Sequence, residues 1–226
     1  MGKVCCFIGH RNVKKTTELK EKLTKTLHWL ITEKEVDKFL FGSKSNFDDF
    51  CQEIVKGLKE EYPHIKRVYV PMYYPELGEQ YMEYILRDFE DTYMPERIEN
   101  AGIARYVERN QEMIDGSDYC VFYFDENYKP AKRKYSKRSV GDYQPKNGTK
   151  VAFDYANQRE RGGKGITIIN LYETEYEKIV SGILSSFVGL ISSITFQYFD
   201  SACDKSICSF GWGIERGYPH AETFYR

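Results

Sequence analysis

The 226-residue sequence lacks an excess of charge of either sign, with 33 Lys and Arg against 34 Asp and Glu. Without a global field, the chain is not built to recruit nucleic acid or an acidic membrane surface. It also lacks a long apolar leader of the secretory kind. Met1-Gly2 begins like a myristoylation signal, but Cys6 stands where Ser or Thr is required. Six cysteines do not make a disulfide framework. Cys5, Cys6 and Cys120 fall in expected strands and Cys51 in an expected helix, where thiols behave as small hydrophobes. A reducing, cytoplasmic setting is therefore expected. Cys203, Cys208 and His220 are too sparse to argue for zinc, so neither a metal nor a cofactor is expected. There is no Walker loop, no Gly-x-Gly-x-x-Gly after the first strand, no metal-binding helix, no serine elbow and no internal repeat.

What is present begins with an unbroken apolar run from Val4 to Ile8, ended sharply by Gly9. Such a run suits a strand buried on both faces. Leu19, Leu23, Leu27, Leu30 and Ile31 then predict a helix from about Lys14 to Thr32. Val36 to Phe41 reads as a second strand. Ser45 or Asn46 caps a second helix with Asp48 and Asp49 in its first turn. Ile65 to Pro71 reads as a third strand, and a helical region spans Glu79 to about Phe89. A bridging segment between Pro95 and Gly102 leads to a helix whose stripe is Ile103, Val107, Asn110 and Ile114. Asp118 to Asp125 is the fourth strand, and the polar, basic stretch 126–147 reads as a long mobile loop. Gly148 and Thr149 open a helix to about Arg161, and Gly165 to Leu171 is the fifth strand. Five alternations of strand and helix predict an α/β, Rossmann-like, doubly wound and mainly parallel five-stranded sheet over residues 1–175.

Residues 176–226 are expected to form a C-terminal helical extension. The 21 residues from Ile179 to Phe199 carry no charge, and Ser181, Ser185, Gly189 and Ser193 recur at four-residue spacing. Such a ladder lets a second helix approach closely. Five Ser plus Gln and Thr make the segment a poor membrane span, so a packing or dimerisation helix in a homo-oligomer is expected rather than an anchor. The aromatic-rich stretch 201–226 yields no functional reading.

In a parallel sheet, the loops at the carboxyl ends of the strands converge on a ligand. Gly9-His10-Arg11 is either a tight turn with exposed His and Arg, or a close backbone approach with an imidazole and a fork of phosphate donors. Gly42-Ser43 leads into a helix start, and Asp48 is either a capping partner of Ser45 or an acceptor for a ribose hydroxyl. Asn147-Gly148-Thr149 opens a helix with no acidic residue in its first turn, which suits an anion. Asn110, beside Arg109, sits on an apolar stripe. It either closes a core network or reaches the cleft.

Cys5-Cys6-Phe7-Ile8-Gly9-His10-Arg11, Gly42-Ser43 with Phe47-Asp48, Tyr106-Val107-Glu108-Arg109-Asn110 with Met113-Ile114-Asp115, Ser117-Asp118, and Gly148-Thr149 with Tyr155-Ala156 together resemble the SLOG superfamily. The nearest branch is the YpsA/YspA-like bacterial proteins, and the resemblance runs from about residue 3 to 171. It implies a Rossmann-like domain binding a nucleotide or nucleotide-derived signalling ligand, as sensor or sequestering module. The implied ligand-binding residues are Gly9, His10, Arg11, Gly42, Ser43, Phe47, Asp48, Arg109, Asn110, Asn147, Gly148 and Thr149. Relatives of the LOG type imply an alternative, hydrolysis or transfer at a nucleotide N-glycosidic bond, and a scaffold protein is a third reading. The LOG pattern is Pro-Gly-Gly-x-Gly-Thr-x-x-Glu. Here Lys146 and Asn147 depart from its glycine side, and Ala152 stands where its Glu would be. A carboxylate is the natural stabiliser of an oxocarbenium-like transition state, so its loss argues against that hydrolase chemistry unless Asp154 or Asp48 substitutes.

Overall fold

The Val4–Ile8 run does form a strand, β1 (Lys3–Gly9), and its side chains alternate between two cores. Cys5 and Phe7 point into one and Cys6 and Ile8 into the other, as the twofold period of a strand requires. A computed structural model describes residues 2–42, 45–72, 83–84, 86–134, 141–143 and 145–174. Ser43, the tail 176–226 with its 179–199 ladder, residues 79–82 and 85 of the helix expected from Glu79, and parts of the 126–147 stretch lie outside these residues. Of that helix the described part is helical at 83–84 and a turn over 86–88, so it does not run on to Phe89.

The elements that follow are α1 (Thr17–Thr32), β2 (Val36–Phe41), α2 (Asn46–Leu58), β3 (Lys66–Tyr69) and β4 (Asp91–Thr92). Two short 3-10 turns precede α3 (Arg105–Asp115), then come β5 (Tyr119–Tyr123), β6 (Arg133–Lys134), β7 (Asp142–Tyr143), α4 (Gly148–Arg161) and β8 (Thr167–Asn170). The main sheet has the order β4-β3-β2-β1-β5-β8, and all of its ladders are parallel. It is a Rossmann-like, doubly wound fold. The buried residues of α1 and α2 pack on the Phe7, Phe39, Phe41 and Val121 face. Those of α3 and α4 pack on the Ile8, Leu40, Cys120 and Phe122 face. Cys5, Cys6, Cys51 and Cys120 are free and buried. Burial pushes the Cys5 and Cys51 thiols up, which leaves them unreactive fillers.

Three expectations are corrected. The sheet has six strands rather than five, because Asp91–Thr92 adds to the edge of β3. Two residues carry no periodicity, and pairing alone creates such a strand. The 126–147 stretch contains a two-stranded antiparallel ribbon, β6 with β7. The third helix starts at Arg105, so Ile103 falls in a 3-10 turn and is fully exposed instead of opening an apolar stripe. Arg109, Met113 and Ile114 are the residues that α3 buries.

From β1 the chain moves outward through β2 and β3 to β4, then crosses back to β5 and β8. The reversal falls between β1 and β5. Outside the carboxyl ends of those strands the connecting loops part in opposite directions, which opens a crevice. Among the described residues, no helix is long and apolar enough to cross a membrane.

Candidate functional site

A cleft of about 350 Å³ fills that crevice. It lies near the lower end of the range for small-molecule sites, roughly 300–1,000 Å³. Five segments line it: the end of β1 with Arg11 and Asn12, the start of α2 with Ser45 and Asp48, α3 with Tyr106, Arg109 and Asn110, the stretch after β5 with Tyr128 and Arg133, and residues 145–149 at the start of α4. Among the described residues, four cations, Arg11, Arg109, Arg133 and Lys146, and one carboxylate, Asp48, line it. The wall as a whole suits an anion.

Gly9 is required by packing. A Cβ there would meet the Phe47 ring at 2.3 Å, and that ring is fully buried against Tyr123. Phe47 is thus a core residue beneath the strand end, off the cleft wall. Asn46 ties down the stretch after β1: its Oδ1 accepts from the Val13 N–H at 2.7 Å and its Nδ2 donates to the Val13 carbonyl at 2.9 Å. Its own N–H donates to the Arg11 carbonyl at 3.1 Å. The backbone of Arg11 is held while its side chain stays exposed on the wall.

Ser45 is the N-cap of α2, accepting from the Asp48 N–H at 3.0 Å and donating its hydroxyl to Asp48 Oδ2 at 3.2 Å. Both readings of Asp48 meet here. One oxygen serves the cap, while the other, Oδ1, is buried with no hydrogen-bond partner. Asp48 is 7% exposed and lines the cleft. Burial lifts its pKa to about 6, against the pull of the Arg109 guanidinium and the Ser45 hydroxyl.

Arg109 is 5% exposed, and burial lowers its pKa. Its Nη1 donates to the Gly42 carbonyl, and its Nε and Nη2 donate to Asn110 Oδ1 at 3.3 and 2.9 Å. A Cβ on Gly42 would sit 2.6 Å from the guanidinium carbon, so Gly42 leaves room for this bridge. Asn110 therefore both closes a network and lines the cleft. Gly42 contributes its carbonyl to Arg109 and lies behind the wall.

His10 is buried and off the wall. Its Nε2 lies 2.8 Å from the Asp125 N–H and 3.2 Å from the Asp125 carbonyl, and its Nδ1 is buried with no hydrogen-bond partner. Burial lowers its pKa, in keeping with a neutral ring. The ring stacks on Tyr128 with centroids 4.0 Å apart. Asn147 is the N-cap of α4, accepting from the Lys150 N–H at 3.2 Å, and its Nδ2 donates to the Tyr128 carbonyl at 3.2 Å. Thr149 donates its hydroxyl to the Gly9 carbonyl at 3.0 Å, fastening α4 to the end of β1. A Cβ on Gly148 would meet nothing within 4 Å. The first N–H groups of α4 have no intrahelical acceptor, and the residues that carry them, Gly148 and Thr149, line the cleft.

Of the residues expected from sequence, Gly9, Arg11, Asp48, Arg109, Asn110, Asn147, Gly148 and Thr149 share one wall. His10, Gly42 and Phe47 stand behind it, and Ser43 is outside the described residues. Sequence reasoning did not single out Asn12, Tyr106, Tyr128 or Arg133 as ligand contacts. Tyr106 stood within the motif that carried the resemblance. Tyr128 and Arg133 sit in a polar stretch with no period to mark them.

The family model described as the YspA SLOG family matches residues 6–154. That span runs from within β1 through the first half of α4, and so covers every described residue that lines the cleft. No curated protein matches the chain.

Proposed function

Because the chain belongs to the YspA SLOG family, we propose that the cleft binds one nucleotide or nucleotide-derived signalling ligand, as a sensor or sequestering module. One observation carries the reading. A buried carboxylate oxygen, Asp48 Oδ1, has no donor, on the wall of a cleft whose other charged residues, among those described, are four cations. A buried acceptor left bare costs about 1–3 kcal/mol, and a ligand hydroxyl would relieve it. A phosphorylated sugar matches the pattern: its hydroxyl donates to Asp48, while its phosphate lies between Arg11 and the start of α4. Arg109 and Asn110 hold the floor between them. The volume suits a single nucleotide better than a dinucleotide.

The alternative, cleavage of an N-glycosidic bond, has one observation in its favour. Ala152 is buried in the core, and Asp154 is exposed and paired with Lys150 at 3.8 Å. Among the described residues Asp48 is then the one carboxylate on the wall, with a pKa raised toward the working range of an acid. A panel of nucleotides incubated with the protein and followed by mass spectrometry separates the readings. Unchanged bound ligand is the expected result, and free base at ordinary enzyme rates, on the order of 1 per second, identifies a glycosidase. Arg11→Ala should weaken binding by roughly ten- to a hundredfold, as loss of a charge-assisted hydrogen bond does. Unchanged affinity would move the phosphate away from β1. On sequence alone, the 179–199 segment is proposed as the contact with a second copy, and Gly189→Leu should shift sedimentation toward monomer.

A further inference from the structure

We propose that Tyr128 is the plate on which the ligand's planar base stacks, an assignment that rests on the nucleotide reading above. The ring is half-buried on the cleft wall. One of its faces is backed by His10, at 4.0 Å between centroids and 20° between planes. His10 is itself fixed. It is 1% exposed, its Nε2 is held by the Asp125 N–H, and Phe124 lies 5.8 Å from it. A supported aromatic ring loses little freedom when a ligand covers it, so most of the contact energy is retained.

The plate is also tied to the proposed phosphate position. The carbonyl of Tyr128 accepts from Asn147 Nδ2, and Asn147 is the residue that caps α4. One side chain therefore fixes the distance between the aromatic face and the helix start. A second wall tyrosine, Tyr106, has its ring 5.8 Å from the Arg109 guanidinium, on the Asp48 side of the cleft. Sugar and base thus have separate supports, Asp48 with Arg109 on one side and Tyr128 with His10 on the other. A phosphorylated sugar without a base would use only the first.

The test is calorimetry on the full chain with ribose 5-phosphate and with the four ribonucleoside monophosphates, for wild type, Tyr128→Phe and Tyr128→Leu. Stacking tolerates any base, so the best nucleotide should bind wild type roughly ten- to a hundredfold more tightly than ribose 5-phosphate. Tyr128→Leu should bring the nucleotides down to the ribose 5-phosphate level and leave ribose 5-phosphate unchanged, while Tyr128→Phe keeps most of the advantage. Equal weakening of both probes in Tyr128→Leu makes the tyrosine a prop of its loop and overturns the assignment. So does a nucleotide affinity that Tyr128→Leu leaves intact. Failure of wild type to bind any probe is a different result, and overturns the nucleotide reading together with the plate.

Discussion

At the amino edge of the sheet, Asp115 is met by Arg97, Arg159 and Lys164 at 2.8, 2.7 and 3.1 Å and by the Tyr155 hydroxyl at 2.7 Å. At the carboxyl edge, Asp48 has a single hydroxyl donor and one oxygen with none. The arginines differ in the same way. Arg67, near the start of β3, grips Glu90 with Nη2 and Nε at 2.8 and 3.3 Å. Arg109 is spent on a backbone carbonyl and a neighbouring amide. Around Asp115 and Glu90 the charges pair with one another, whereas Asp48 and Arg109 on the cleft wall form no ion pair among the described residues. Incomplete pairing alone does not mark a site: Arg67 Nη1 and Asp37 Oδ1 also lack partners. Neither lies on the wall of the cleft, whereas Asp48 does. Unmet bonding capacity combined with space is what points to a ligand.

The contrast gives the two carboxylates opposite pH signatures. The cations and the Tyr155 hydroxyl around Asp115 hold it well below the usual carboxylate range, although burial pulls the other way. Its stabilisation is present at neutral pH and lost as pH falls below about 4. Asp115→Ala takes the shared acceptor away from three partly exposed cations and the Tyr155 hydroxyl, so at neutral pH it should cost about 2–3 kcal/mol in urea unfolding. The difference from wild type should shrink in acid, and nucleotide affinity should not change. A loss of affinity would show that the two edges are not independent.

Asp48 should behave the other way, with a somewhat smaller effect. Its folded pKa of about 6 lies above the ordinary value near 3.8. The folded state therefore prefers the protonated carboxyl, and stability from this group declines as pH rises from about 4 through about 6. Asp48→Asn keeps an acceptor for the Ser45 hydroxyl and removes the charge. Above pH 6 or so it should be about 2 kcal/mol more stable than wild type, and the two should converge near pH 4. Binding should suffer in the same variant, more for ribonucleotides than for their 2′-deoxy counterparts. Wild type and variant with parallel stability across that range would mean that Asp48 ionises freely, with its second oxygen already solvated.

The scaffold was far more legible in the sequence than the wall. Val36–Phe41 and the cap at Ser45 are visible because runs, periods and caps are local. The pair Asp91–Thr92 is a strand only because β3 lies beside it. Arg109 is buried because a distant carbonyl, that of Gly42, accepts from it, and no periodicity encodes that. Ile103 misled for the converse reason, since the helix starts two residues after it. Glycine and helix-start residues on the wall were readable because a parallel sheet gathers such ends at one edge. The rest of the wall, Tyr128 and Arg133 above all, comes from a stretch whose placement depends on His10 and Asn147.

The smallest effect on stability is expected from a change that should matter most to an anion. Asn147→Asp keeps an equally good N-cap for α4. A negative charge at a helix start is favoured by about 0.3–1 kcal/mol, which offsets the lost hydrogen bond from Nδ2 to the Tyr128 carbonyl. Unfolding free energy should therefore move by less than about 1 kcal/mol. The same carboxylate stands beside Gly148 and Thr149, where the phosphate is proposed to lie, and it repels the Tyr128 carbonyl that Asn147 now holds. Affinity for a nucleoside monophosphate should drop at least about tenfold, and more at low salt, where charges are screened least. Calorimetry and urea unfolding on one preparation read both quantities. A stable variant with unchanged affinity would remove the phosphate from the start of α4 and leave Arg11, Arg133 and Lys146 to hold it elsewhere in the cleft.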